Sequence, residues 1–349
     1  YGPGRPSVLI ARELSKHYKT TIISTVVSSR LLKILEGERI QVINLGIESR
    51  FKDQSTAYFE YWAKEALFSL NSQSRDFSQD YSIDLNFSNT LLTPCQAWYA
   101  QGPVSAVLKA ISSSLTAHYR LAYFVLRRLI DKADDRLINK FRDHAKNVVV
   151  NSNYTKQLYE KFGIVVDHII PEPMDLKVFR PTTTNPTGDY VLSYLGKETE
   201  LSVLKEVADR GLKLKLFGSK FGNIPKAILT HPHIEVLEQV NDNELADLYS
   251  NALFTLFPFI DEQFGYIPTE SMACGTPVLT YNMQGPAETV IHEQTGWLVD
   301  TMHITAMACR LWKERNYDHV RVSCVKWAKQ FEASNVVKKW IDLLEVRLW

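Results

Sequence analysis

The sequence predicts an α/β fold in two domains, each a parallel sheet with helices on both faces. Three observations carry this reading. Strand-like and helix-like segments alternate along the chain, as they do where crossover helices join parallel strands. At 349 residues the chain is long for one domain, and two is the better division. The stretch 172–189 (EPMDLKVFRPTTTNPTGD) is rich in Pro and Thr and poor in periodicity, so it reads as the linker. The expected domains are therefore 1–171 and 190–325, followed by terminal helices over 326–349.

The elements follow in order. Tyr1-Gly2-Pro3-Gly4-Arg5-Pro6 is a glycine-bearing loop, and Val8–Tyr18 has a helical apolar period. Thr20–Val27 is β-branched and strand-like, and Ile40–Leu45 is a second strand. Ala57–Leu70 is a helix whose Tyr58, Tyr61 and Trp62 stripe suits a core. Ile83–Phe87 and Ala97–Ala100 are short strands, and Asn147–Ser152 closes the first domain. Ser114–Lys132 is a helix in which Arg120, Arg127 and Arg128 interrupt apolar residues. It suits either a core-packed helix or a basic amphipathic helix on a membrane surface. His118 on it is a lone histidine with a structural role. Tyr190–Leu195, Leu212–Phe217 and His233–Leu237 are strands of the second domain. Asn243–Tyr249 is a helix capped by Asp242, and Trp327–Trp349 forms terminal helices.

Composition bounds the function class. The chain is 45% hydrophobic and 23% charged, with a net charge of +1, as in an ordinary soluble globular protein. No run of 18 apolar residues occurs, so no transmembrane helix is expected. Cys95, Cys274, Cys309 and Cys324 show no metal-ligand spacing, which predicts a reduced, cytoplasmic protein without structural zinc. The Asn86 and Asn153 sequons read as chance. Residues 1–180 hold 24 Lys+Arg against 18 Asp+Glu, whereas 181–349 hold 16 against 21. The basic first half fits an anionic partner or a membrane surface, or simply uneven surface decoration. No nucleic-acid partner is expected.

The chemistry concentrates in Pro258–Asp300. An apolar run, Ala252–Phe257, enters a loop that holds Glu262, Phe264 and Gly265. Pro268 sits where a helix could begin, Thr269–Ala273 reads as its first turn, and Glu270 lies beside its positive end. Cys274-Gly275-Thr276-Pro277 stops that helix, and Val278–Tyr281 is the next strand. A strand running through a glycine loop into a helix start presents backbone N–H groups suited to phosphate. Flanking carboxylates accept from sugar hydroxyls. The plainer alternative is that both glutamates only complement a helix dipole.

Glu262-x7-Glu270, followed by Ser-Met-Ala-Cys-Gly-Thr-Pro-Val and the distal Gly296-Trp297-Leu298-Val299, resembles the signature of the retaining glycosyltransferase family 4. The resemblance implies a GT-B fold, with two Rossmann-like domains facing a central cleft and a final helix that crosses back to the first domain. It implies transfer of a hexosyl or related sugar from a nucleotide-sugar donor to a glycan or polyprenyl-linked acceptor. No cofactor or metal is expected, and peripheral contact with the cytoplasmic membrane face is left open.

Roles follow from the same resemblance. Glu262 meets the donor sugar, Glu270 the ribose, and Phe264, Gly265, Tyr266 and Ile267 line the donor. Gly196-Lys197 resembles a Gly-Arg corner whose cation holds the diphosphate, so Lys197 is placed beside Glu262 as catalytic. The lysine usual about five residues on is replaced by Ser202; Lys205, Lys220 or Arg5 are candidates for its place. Gly218-Ser219 lies near the base. Gly2 and Gly4 line the diphosphate; a strand precedes that loop in the family, so the first strand is expected to be missing. Trp98-Tyr99-Ala100-Gln101-Gly102-Pro103 resembles a Tyr-x-His-x-Pro segment of relatives acting on polyprenyl-linked glycans, which puts Gln101 on the acceptor side without an imidazole's acid–base capacity. Glu288 orders the following helix.

Three rival readings remain at this level. One is a non-catalytic GT-B sugar-binding or scaffold protein. Another is a Rossmann oxidoreductase, against which stands the want of a full GxGxxG after a strand. The third is a metal-dependent GT-A enzyme, but Asp131–Asp135 (DKADD) sits in a helical context.

Overall fold

A computed structural model describes residues 4–46, 54–71, 80–112, 117–196, 198–218, 224–237, 239–315 and 317–345. Lys197, Gly2, Ser219 and Lys220 lie outside these residues. The chain divides into two units: Tyr1–Pro173 with Val336–Trp349, and Met174–Asn335.

The first unit runs α1 (Arg5–Leu14), β1 (Thr20–Ser24), α2 (Ser29–Leu35), β2 (Ile40–Asn44), α3 (Gln54–Asn71), β3 (Leu85–Asn86), β4 (Cys95–Ala100), α4 (Val104–Ile111), α5 (Ala117–His144), β5 (Ala145–Val150), α6 (Asn153–Glu160) and β6 (His168–Ile169). β1 and β2 pair in parallel, and a second parallel sheet has the order β3-β4-β5-β6. The central strands are apolar on both faces, as strands covered on both sides must be. Trp98, Ala100, Val148 and Val150 face one core with Leu137, Ile138 and Phe141 of α5. Trp98 stacks on Phe141 at 4.8 Å. Ala97, Tyr99 and Val149 face the other core, with Ile10 of α1 and Val336, Val337 and Trp340.

The second unit runs β7 (Val191–Tyr194), α7 (Leu201–Asp209), β8 (Leu214–Phe217), α8 (Lys226–Leu229), β9 (Ile234–Val236), α9 (Asp242–Asn251), β10 (Thr255–Phe257), α10 (Tyr266–Ala273), β11 (Val278–Tyr281), α11 (Pro286–Thr289), β12 (Gly296–Val299), α12 (Ile304–Glu314) and α13 (Asp318–Ala328). The last helix, α14 (Ala333–Glu345), carries the chain back into the first unit. The six strands form one parallel sheet of order β12-β11-β10-β7-β8-β9. Numbered from the first strand of the unit, this is the 3-2-1-4-5-6 order of a dinucleotide-type sheet.

Several expectations need correction. Residues 174–189 are not a free linker, because they belong to the second unit. Phe179 is buried in its core. The Thr182 N–H donates to Ser250 Oγ at 3.0 Å, and the Thr182 hydroxyl to Asp247 at 2.8 Å. Met174 pairs with the chain on its return: its N–H donates to Phe331 O at 2.6 Å, and its carbonyl accepts from Ala333 N–H at 2.9 Å. The first helix starts at Arg5 rather than Val8, since Pro6 suits a first turn. The helix expected over Ser114–Lys132 spans Ala117–His144, because its buried stripe continues through Leu137, Ile138 and Phe141. β6 follows β5, so Asn147–Ser152 does not hold the last strand of the first unit. Asn241, not Asp242, caps α9: its side chain accepts from the N–H groups of Asn243 and Glu244, while Glu244 accepts from the Asn241 N–H.

Trp340 is fully buried among Tyr99, at 5.3 Å, and Phe87, at 5.8 Å. Truncation there leaves a cavity between α14 and β4. Trp340→Ala should therefore lower stability by about 3–5 kcal/mol, read as a shifted urea midpoint; a loss below about 1 kcal/mol would count against the final helix as a structural part of the first unit.

Candidate active site

The strand order of the second unit fixes where a ligand can enter. From β7 the chain winds outward through β8 and β9, then returns to β10 on the other side of β7. The carboxyl ends of β7 and β10 are therefore the switch point of the sheet, where ligands of such folds bind. The loop after β7 carries Gly196, and the loop after β10 carries Glu262 and Gly265.

These two exits are stitched together. The Thr199 hydroxyl accepts from the Gly196 N–H at 2.8 Å and donates to Tyr194 O at 3.0 Å. Thr199 pairs with Phe259, and the Glu200 N–H donates to Pro258 O at 3.0 Å. Glu200 also accepts from the Tyr281 hydroxyl at the end of β11. The Tyr194 ring lies against Gly196 and Gly218, and a Cβ on either glycine would overlap it. Gly218 also has φ +108, so both space and backbone demand glycine there. Burial raises the Tyr194 hydroxyl pKa, and the carboxylates of Glu198, Glu262 and Glu270 raise it further. The negative field of all three reaches this phenol.

Glu262 is half-buried on the loop into α10. Its Oε1 accepts from the N–H groups of Phe264, at 3.3 Å, and Gly265, at 3.1 Å. Its own N–H donates to Gln284 Oε1 at 3.1 Å, and its carbonyl accepts from the Gly285 N–H at 3.1 Å. The loop is thus clamped against the segment that follows β11. Gly285 makes this approach possible, since a Cβ there would run into the Gln263 carbonyl and the Phe264 nitrogen. Gly265 turns the chain with φ +99, and a side chain would crowd Pro268 at 3.2 Å and Pro286 at 3.4 Å.

The helix begins earlier than its proline suggests. Gly265 caps α10 and Tyr266 is its first residue, which places Pro268 third and Glu270 fifth. Glu270 is therefore a turn beyond the positive end rather than beside it. It is only 4% exposed, and its Oε2 accepts from the Tyr249 hydroxyl at 3.1 Å. A buried carboxylate needs such a donor. Glu262 bonds helix-start amides, as the dipole alternative requires. Gly275 ends α10 at φ +83: its N–H donates to Met272 O and that of Thr276 to Ser271 O, both at 2.9 Å.

Glu262, Phe264, Gly265, Tyr266, Ile267 and Glu270 thus share one corner of the second unit, with Gly218 at the end of β8. Gln101 and Gly4 belong to the first unit. Gln101 is half-buried at the end of β4, ahead of Gly102 (φ 151). Asp134 of α5 accepts from the Ser105 N–H at 2.8 Å and so caps α4. Gly4 caps α1 in an ordinary helical conformation. Lys205 pairs with Asp209 at 2.6 Å on the exposed side of α7, which leaves it a poor substitute for a phosphate cation. Sequence reasoning missed Tyr194, Thr199, Tyr249 and Gln284. Only the strand-end position of Tyr194 offered a signal.

Residues 201–316, which include Glu262 and Glu270, match the family model for Glycosyl transferases group 1. The chain is 28% identical over 190 residues to a D-inositol 3-phosphate glycosyltransferase of Pseudarthrobacter chlorophenolicus, covering 46% of this chain and 45% of that one. It is 39% identical over 79 residues to an alpha-1,3/1,6-mannosyltransferase of Neurospora crassa, covering 22% and 17%. The matches span less than half the length of these relatives. Among solved structures, sucrose-phosphate synthase from Thermosynechococcus elongatus superposes with a TM-score of 0.69 at 17% identity, over 97% of this chain and 92% of that one. Anabaena HepE, solved with UDP and glucose, superposes with a TM-score of 0.65 at 14% identity, over 99% and 96%. The chain accordingly has the GT-B fold, and residues 201–316 of its second unit are similar to glycosyl transferases group 1.

Proposed function

We propose that the chain is a retaining glycosyltransferase that moves a hexosyl or related sugar from a nucleotide-sugar donor to a glycan or lipid-linked glycan acceptor, without a metal. The observation that carries this reading is the pair Glu262 and Glu270, set in one corner at the switch point of a 3-2-1-4-5-6 sheet, within the matched family segment. Glu262, already held by two amides, accepts from donor-sugar hydroxyls. Glu270 turns to the ribose, supported by Tyr249. The first-turn amides of α10 and the Lys197 ammonium offset charge that grows on the departing diphosphate, which stabilises the transition state more than the ground state. Phe264, Tyr266, Ile267 and Gly218 shape the donor pocket. Gln101 orients the acceptor by hydrogen bonds, and a lipid-linked acceptor brings the protein to the cytoplasmic face of a membrane. Among the described residues no helix is long and apolar enough to cross one. The relatives named above give a non-catalytic role no support.

The direct test is slow donor turnover against UDP-, GDP- and ADP-sugars, with and without EDTA. One donor should release nucleotide regardless of EDTA, and Glu262→Ala should cut that rate by roughly 100-fold or more. Sensitivity to EDTA would overturn the metal-free part, and an unchanged Glu262→Ala rate would remove this carboxylate from the chemistry.

Calorimetry separates the two binding roles. Glu270→Ala should weaken nucleoside and nucleoside diphosphate alike, by about tenfold or more. Lys197→Ala should weaken only the diphosphate. Unchanged nucleoside affinity in Glu270→Ala would sink the ribose assignment, and equal losses of both ligands in Lys197→Ala would sink the phosphate one.

Gly285→Ala tests the clamp behind Glu262. The added methyl has no room against the Gln263 carbonyl, so the corner must shift. A stability loss of about 1–3 kcal/mol should accompany donor turnover falling at least tenfold. Full turnover in a stable variant would show that the corner tolerates displacement.

A further inference from the structure

α5 is apolar on two sides, and only one of them is used by the fold. Tyr123, Ile130, Leu137, Ile138 and Phe141 lie in the core of the first unit. On the opposite side, over its first three turns, Leu121 is 65% exposed, Phe124 77%, Val125 69% and Leu129 64%. At 100° per residue these four lie on one outward face. Among the described residues, Leu126 of the same helix is 43% exposed toward its other side, and the other exposed large apolar residues stand mostly singly. Four together on one helix face form a patch that calls for a partner.

The charges around the patch select the partner. Arg120, Arg127, Arg128 and Lys132 are all exposed. Arg128 and Lys132 fall on the same outward face as the apolar four, and Arg120 and Arg127 border it. The segment 117–130 (AHYRLAYFVLRRLI) contains no acidic residue. The first carboxylate is Asp131, 3.8 Å from Arg127. Beyond it the outward face turns polar, through Asp135, Arg136 and Asn139. A second copy docked about a twofold axis would set this cationic face on itself. An anionic bilayer offers apolar depth and negative headgroups together: the four apolar side chains enter the boundary while the arginines and the lysine reach back to phosphates.

We infer that the outward face of α5 between Leu121 and Lys132 is a docking surface for an anionic lipid bilayer. This deepens the membrane part of the function proposed above. It rests on α5 alone, so it can fail or stand independently of donor turnover.

The test is co-sedimentation of the full chain with vesicles of phosphatidylcholine alone and of phosphatidylcholine with phosphatidylglycerol. The protein should sediment with the anionic vesicles, release as salt rises, and bind the neutral vesicles at least tenfold more weakly. Phe124→Ser with Val125→Ser, and separately Arg127→Gln with Arg128→Gln, should each weaken anionic binding by about tenfold or more. All four positions are exposed, so thermal midpoints should stay within a few degrees of the parent protein. The inference is overturned if the parent protein remains in the supernatant with both vesicle types, or if either double variant binds as tightly as the parent. It is also overturned if gel filtration shows a dimer that Phe124→Ser with Val125→Ser converts to a monomer, since the face would then join two copies of the chain. Donor turnover on the same samples reads the catalytic proposal separately: sedimentation without turnover overturns that proposal and leaves this one standing.

Discussion

A backbone contact with no room for a side chain holds the corner between β10 and α10 in place. Where Gly285 meets the Gln263–Phe264 peptide, even a methyl group would overlap. That approach lets the Gly285 N–H reach Glu262 O, and lets Gln284 accept from the Glu262 N–H. Glu262 is then fixed at both its amide and its carbonyl, which aims its carboxylate at the N–H groups of Phe264 and Gly265. Gly265 turns with positive φ and α10 begins. Glu270 lands one turn later, in the interior, where Tyr249 can reach it. Each step depends on the one before.

How much of this was legible in the sequence depends on how far apart the interacting residues lie. The strands, the glycine corner and the end of α10 are local. They are written in β-branched runs, in a Gly followed three residues later by Pro268, and in Cys274-Gly275-Thr276-Pro277. The spacing of Glu262 and Glu270 is also local, and it marked both as candidates. The partners that hold them are distant. Tyr249 comes from α9, Gln284 from beyond β11, and the Glu200–Tyr281 bond spans 81 positions. Nothing in the composition of α9 singles out Tyr249 from its neighbours.

The same distinction explains the misplaced features. Residues 172–189 read as a linker because Pro and Thr break periodicity, yet Phe179 is buried in the core of the second unit and Thr182 bonds α9. Periodicity reports elements, not docking. Pro268 suggested a helix start because proline is favoured at the first position. Here the acceptors that close the first turn come from Glu262 and the Gly265 carbonyl, so the helix begins two residues earlier.

The charge distribution around Tyr194 bears on how such a corner could hold a diphosphate. Burial raises the pKa of the Tyr194 phenol, and three carboxylates, Glu198, Glu262 and Glu270, raise it further. A diphosphate entering their field meets repulsion on the order of a few kcal/mol per close pair at a protein surface. Helix-start amides recover part of that, worth about 0.3–1 kcal/mol per favourable charge. In the function proposed above, Lys197 supplies the remainder. Lys205 is engaged with Asp209, and position 197 is the lysine that follows the Gly196 corner. Carboxylates that favour sugar hydroxyls and disfavour bare phosphate make binding depend on both ends of the donor. On the proposed reading, such an arrangement would discriminate against free phosphate while accepting a nucleotide sugar.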